Sequence, residues 1–96
     1  MVIASLAIFP TSEGASVSRY VKEVIRVIRE SGLHHETGGM STTIESPDLA
    51  TLFRAVEKAH RTLAGMGVRR IHIDLHVDHR LDTDATISSK LGSLKD

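Results

Sequence analysis

The run Val68–His79 (VRRIHIDLHVDH) limits the possible folds more than any other segment, because from Arg70 to Asp78 it alternates between polar and apolar side chains. Ile71, Ile73, Leu75 and Val77 point one way, and Arg70, His72, Asp74, His76 and Asp78 point the other. A period of two marks a β-strand with one face covered and one face open. The first strand, Met1–Phe9, differs. Val2, Ile3, Leu6, Ile8 and Phe9, with small Ala4, Ser5 and Ala7 between them, put apolar or small groups on both sides, as suits a central strand.

Between these two runs the period changes. Pro10 and the turn-like Thr11–Ala15 end the first strand, and Ser16 or Ser18 is placed to cap a helix through its hydroxyl. Val17, Tyr20, Val21, Val24, Ile25, Val27 and Ile28 recur at helical spacing, and Ser31-Gly32 supplies the stop. Leu33–Thr37 and Met40–Ser46 read as strands joined at Gly38-Gly39. Pro47-Asp48 opens a second helix with an inner stripe of Leu49, Leu52, Phe53, Val56, Ala59, His60 and Leu63, ended by Gly65 and Gly67. Arg80–Asp96 is a polar tail or short extra element in which Leu81, Ile87, Leu91 and Leu94 are sparse. The order β-α-β-β-α-β specifies an α+β, ferredoxin-like split βαββαβ sandwich, a four-stranded antiparallel sheet with two helices on one face. Residues 1–96 are expected to form one domain, its core over about residues 1–80.

Composition narrows the function classes. Twelve basic and twelve acidic side chains give a formal net charge of zero, which argues against a chain built to hold nucleic-acid phosphates or anionic lipid. No cysteine is present, so disulfides, iron–sulfur clusters, thiolate zinc sites and cysteine nucleophiles are excluded. No apolar run reaches the roughly 18–20 residues of a membrane span, and no signal-peptide pattern opens the chain, so the expected location is cytoplasmic. Phe9, Tyr20 and Phe53 are the only aromatic residues of the 96, so the core is thin and gains from association are expected. The first strand is apolar on both sides, and part of the bare sheet face is therefore expected to meet another subunit.

Few residues suggest catalysis. His72, Asp74, His76 and Asp78, with His79 following, lie on one strand face about 6.6–7 Å apart, too wide for consecutive side chains to share one metal. Two of them with His34 or His35 could hold a metal for a hydrolase, but a polar histidine-rich face explains the pattern more simply. His60 reads as a half-buried structural residue. Glu36 and Glu45 could pair as acid and base, although a solvated edge suits them better. There is no Gly-x-Ser-x-Gly nucleophile elbow, and Gly38-Gly39 lacks the Lys-Ser/Thr of a phosphate loop. Base stacking needs sheet aromatics and only Phe9 is offered, and Pro10–Ala15 has no arginine for an acylphosphatase cradle. A small-molecule binding module or a structural oligomer remains, with no catalytic residue, metal or cofactor.

Several separate motifs then fall in a familiar order. Ser16-Val17-Ser18-Arg19-Tyr20-Val21, Ser31-Gly32-Leu33, Met40-Ser41-Thr42-Thr43-Ile44-Glu45, Gly67-Val68-Arg69-Arg70-Ile71, Asp78-His79-Arg80, and Lys90 with Gly92-Ser93 span nearly the whole chain. Together they resemble the small thiamine-binding protein family, a YkoF-like group long classed as uncharacterised. The resemblance implies a ferredoxin-like subunit that assembles through its sheets into homodimers or homotetramers. It also implies binding of thiamine or its hydroxymethylpyrimidine portion without catalysis. Two positions depart from the family pattern. Ser46-Pro47 replaces the glycine after Ile-Glu, and His35 stands where tyrosine is common.

A thiamine site needs an apolar wall, polar groups for the pyrimidine nitrogens, and tolerance of a cation. Thr42 and His35 are the leading ligand-binding candidates, one for its hydroxyl and one for its flat ring. Glu45 could accept from an amino group, and Ser16 and Ser18 stand at a helix N-terminus. The competing expectation is a structural or interaction module whose sheet face assembles without a small-molecule ligand.

Overall fold

Strand β1 (Val2–Pro10) occupies an interior place in the sheet, which its two-sided apolar sequence requires. The computed structural model describes residues 1–14 and 17–94. After β1 come helix α1 (Ser18–Glu30), strands β2 (His35–Thr37) and β3 (Thr42–Ser46), helix α2 (Leu49–Gly65), strand β4 (Ile71–His79) and helix α3 (Ile87–Gly92). The sheet order is β2-β3-β1-β4, every neighbour pair antiparallel. This is the ferredoxin-like α+β sandwich, with α1 and α2 packed together on one face.

Register assigns each side chain to a face, since cross-strand partners point the same way. Val2, Ala4, Leu6 and Ile8 meet α1 and α2, and they join Tyr20, Val24, Val27, Ile28, Ile44, Leu52, Val56, Ala59 and Leu63 in one core. Each fully buried Ile or Leu among them contributes about 1.5–3 kcal/mol of transfer free energy. The outer face carries Ile3, Ser5, Ala7 and Phe9, flanked on β4 by Asp78, His76, Asp74 and His72.

Several local expectations change. The N-cap of α1 is Val17, and among the described residues no side chain caps it; Ser18 is the first helical residue and not the cap, and Ser16 lies outside the described residues. Leu49, Phe53 and His60 are exposed on α2, and Ala55 joins the buried stripe in their place. A 100° helical advance puts these three on the flank of the apolar arc rather than its centre. The fourth strand begins at Ile71, because the Arg69 and Arg70 amides donate to Ser12 Oγ and the Arg70 carbonyl accepts from the Thr11 amide.

The tail holds the largest addition. Thr86 and Ser89 form a reciprocal capping box that starts α3. The Ile87 amide donates to Glu45 Oε1 at 2.6 Å, Lys90 pairs with Asp78, and the N-terminal ammonium pairs with Asp84 at 2.5 Å. Glu45 and Asp78 flank Ile3 on the outer face, so α3 sits over that end of the sheet, where Ile3 and Ile87 are both buried. The outer face is therefore not a bare apolar surface. Its apolar end is covered, and the remainder is mostly small, polar or charged.

Candidate functional site

Strand β1 outruns β3, and this mismatch creates the site. β1 pairs with β4 along all nine residues, but with β3 only from Val2 to Leu6, where Leu6 faces Thr42. Beyond Leu6 the hairpin chain turns away through Gly38 and Gly39, closed by a Gly38 amide bond to the Ser41 carbonyl at 2.9 Å. A cavity of about 250 Å³ fills the gap between β1, the hairpin and α1. Leu6 and Ile8 line it from the sheet, Val17 from the N-cap of α1, Val21 and Ile25 from α1 itself, and Met40 and Thr42 from the hairpin side.

Its chemistry is an apolar wall with few polar groups. Thr42 is buried, and its Oγ1 lies 3.4 Å from Thr37 Oγ1, so one hydroxyl of the pair has a proton or lone pair to offer a guest. Ala7–Phe9 also line the cavity, and this stretch of β1 has no β3 partner. Backbone groups of a strand alternate in direction, so at least one N–H and C=O set there faces the gap rather than β4. Among the described residues no carboxylate lines the cavity. The volume is below the roughly 300–1,000 Å³ of drug-sized sites, which suits a single ring with small substituents.

The five ligand-binding candidates are not brought together. Thr42 lines the cavity. His35 faces Ile44 on the hairpin, half-buried, with Nδ1 at 3.0 Å from the Leu33 carbonyl, and is not among the lining residues. Glu45 points to the opposite face of the sheet and holds α3 through the Ile87 amide. Ser18 is exposed at the start of α1, beside the cavity-lining Val17. Ser16 is outside the described residues. Val21 and Ile25 read in the sequence as core positions, yet they wall the cavity; only the short β3 leaves them partly uncovered.

The other clusters are dispersed. Glu36 faces Thr43, while Glu45 is engaged with α3, so they form no acid–base pair. On β4 only Asp74 and His76 meet, at 2.9 Å, and among the described residues no group of three or more metal-ligating side chains converges. Lys90 holds the Asp78 carboxyl below the usual carboxylate range by hydrogen bond and charge. No described helix is long and apolar enough to cross a membrane.

Comparison with known proteins agrees with this architecture. The chain is 39% identical to the UPF0045 protein MJ1052 of Methanocaldococcus jannaschii, covering 97% of this chain and 91% of that protein. It is 31% identical to a UPF0045 protein of Methanothermobacter thermautotrophicus, covering 100% and 98%. The crystal structure of MJ1052 superposes with a TM-score of 0.89, covering 97% of this chain and 94% of that chain at 39% identity. A Thermotoga maritima protein assigned a proposed role in thiamine biosynthesis or salvage shares the fold, with a TM-score of 0.84 at 22% identity and 98% coverage of both chains. The thiamine-binding protein family matches residues 4–95, nearly the full length, and this chain belongs to that family.

Proposed function

We propose that this protein binds thiamine, or its hydroxymethylpyrimidine portion, without catalysis and as a cytoplasmic homo-oligomer. The observation that carries the reading is the ring-sized apolar cavity where β1 outruns β3, with Thr42 and backbone edges as its polar groups. A pyrimidine is flat, largely apolar on its faces and polar at its edges, which is what such a lining recognises. The described lining holds no carboxylate, so a thiazolium cation gains little inside and stays at the mouth near Met40. The pyrimidine is then the part that the cavity grips, and hydroxymethylpyrimidine binds within about tenfold of thiamine.

Calorimetric titration with both compounds tests this. Thr42→Val keeps the shape and removes the hydroxyl, which weakens binding by about tenfold for one neutral hydrogen bond. Absence of heat and of any thermal shift at millimolar ligand would overturn the reading. The Ser18, His35 and Glu45 variants are expected to change affinity less than Thr42→Val.

A further inference from the structure

Helix α1 presents three neighbouring rows of side chains, each at i, i+4, i+7 and i+11 spacing. Val17, Val21, Val24 and Ile28 make the first row, and all four line the cavity. Ser18, Lys22, Ile25 and Arg29 make the second, which borders it, and Ile25 is part of the wall. Arg19, Glu23, Arg26 and Glu30 make the third, which points further outward. The second row is therefore the rim of the cavity on its helix side.

Charge is distributed unevenly between the two outer rows. In the third row it cancels: Arg26 pairs with Glu23 at 2.8 Å and with Glu30 at 2.9 Å, and Arg19 stacks over the Tyr20 ring at 4.7 Å. In the rim row nothing offsets Lys22 and Arg29. Both are exposed, and among the described residues neither makes an ion pair. They stand about 10.5 Å apart along the axis with Ile25 between them, so two long, flexible cationic side chains flank one stretch of the wall. On the hairpin side of the mouth, the Gly38 amide is held by the Ser41 carbonyl, while those of Gly39 and Met40 donate to no described group. The mouth thus offers positive charge and free N–H donors, whereas the interior is apolar.

We propose that the cavity takes its pyrimidine with an anionic arm: a phosphate ester on the hydroxymethyl group, held at the rim by Lys22 and Arg29. This rests on the pyrimidine reading above and names the form of ligand that the site prefers. A phosphate monoester carries about −1.5 to −2 charges near neutral pH. It accepts charge-assisted hydrogen bonds from both side chains, and these are shorter and about twice as strong as neutral ones. The thiazolium ring of thiamine is a cation and meets repulsion at the same rim. The ring sets where the ligand sits, and the rim selects the charge of its arm.

Calorimetric titration with hydroxymethylpyrimidine, its phosphate ester and thiamine tests this. At low salt the ester is expected to bind about tenfold more tightly than the free alcohol. In about 0.5 M sodium chloride that advantage is expected to shrink to about threefold or less. Lys22→Gln combined with Arg29→Gln is expected to bring ester and alcohol within about twofold of each other, and to strengthen thiamine binding about threefold. Opposite changes for the two ligands are a signature that a damaged fold does not give. Lys58→Gln, which removes an exposed cation on α2, is expected to leave the ratio of ester to alcohol in place. An ester no tighter than the alcohol, or an advantage that survives the double variant, would overturn the proposal. If thiamine and the alcohol bind and the ester gains nothing, the cationic rim falls and the thiamine reading stands. If only the ester binds, the rim stands and the thiamine reading falls.

Discussion

Asp48 closes the start of α2 by accepting the Thr51 amide at 2.7 Å, which satisfies one of the free N–H groups of the first turn. That bond, then the Thr51 hydroxyl and the Arg54 charge, holds its carboxyl below the usual carboxylate range. A lowered folded pKa contributes stability that is present above the unfolded value and lost as pH falls through the folded one. Asp48→Ala is therefore expected to lower the urea midpoint more at pH 7 than at pH 3. Asp48→Asn keeps an acceptor and loses the pH dependence. Paired urea titrations at the two pH values check both. Asp48 was readable in sequence because a cap acts on residues three positions away. Glu45 shows the opposite case. Its partner Ile87 is 42 residues distant, and no local pattern marks that contact.

Among the elements, α3 shows most clearly why some parts of the fold escape sequence reading. β4 announces itself by alternation over eight of its nine residues, and α2 by a stripe over seventeen. α3 has six residues and buries only Ile87, too few to show a helical period, so the tail reads as polar chain. It is held by docking rather than propensity, since a helix this short is marginal alone. Glu45→Ala is expected to release it. Amide exchange across Ile87–Gly92 should rise by an order of magnitude or more, while β1 and β4 stay protected. Cavity affinity should remain unchanged, because Glu45 faces away from it. Unaltered exchange in α3, or a large loss of ligand affinity, would show that Glu45 does a different job.

For the whole molecule, formal neutrality hides a division of charge. α1 and α2 carry Arg19, Lys22, Arg26, Arg29, Arg54, Lys58 and Arg61 against Glu23, Glu30 and Glu57. The sheet and tail carry Glu36, Glu45, Asp74, Asp78, Asp82, Asp84 and Asp96 against Arg80, Lys90 and Lys95. The molecule measures 42 × 28 × 19 Å with a radius of gyration of 14.1 Å, against about 12.5 Å for a compact chain of this length. Its accessible surface is 6172 Å², against about 5,400 Å² expected for 10.5 kDa. An open sandwich with excess surface, with Ile73 and Val77 half-exposed, gains from association. Association that favours the folded chain raises its melting temperature with concentration. Over a hundredfold range, from about 1 to 100 μM, the midpoint should climb by several degrees. Thiamine should add a separate increment that Thr42→Val reduces. A midpoint independent of concentration would mean that the chain folds and works alone.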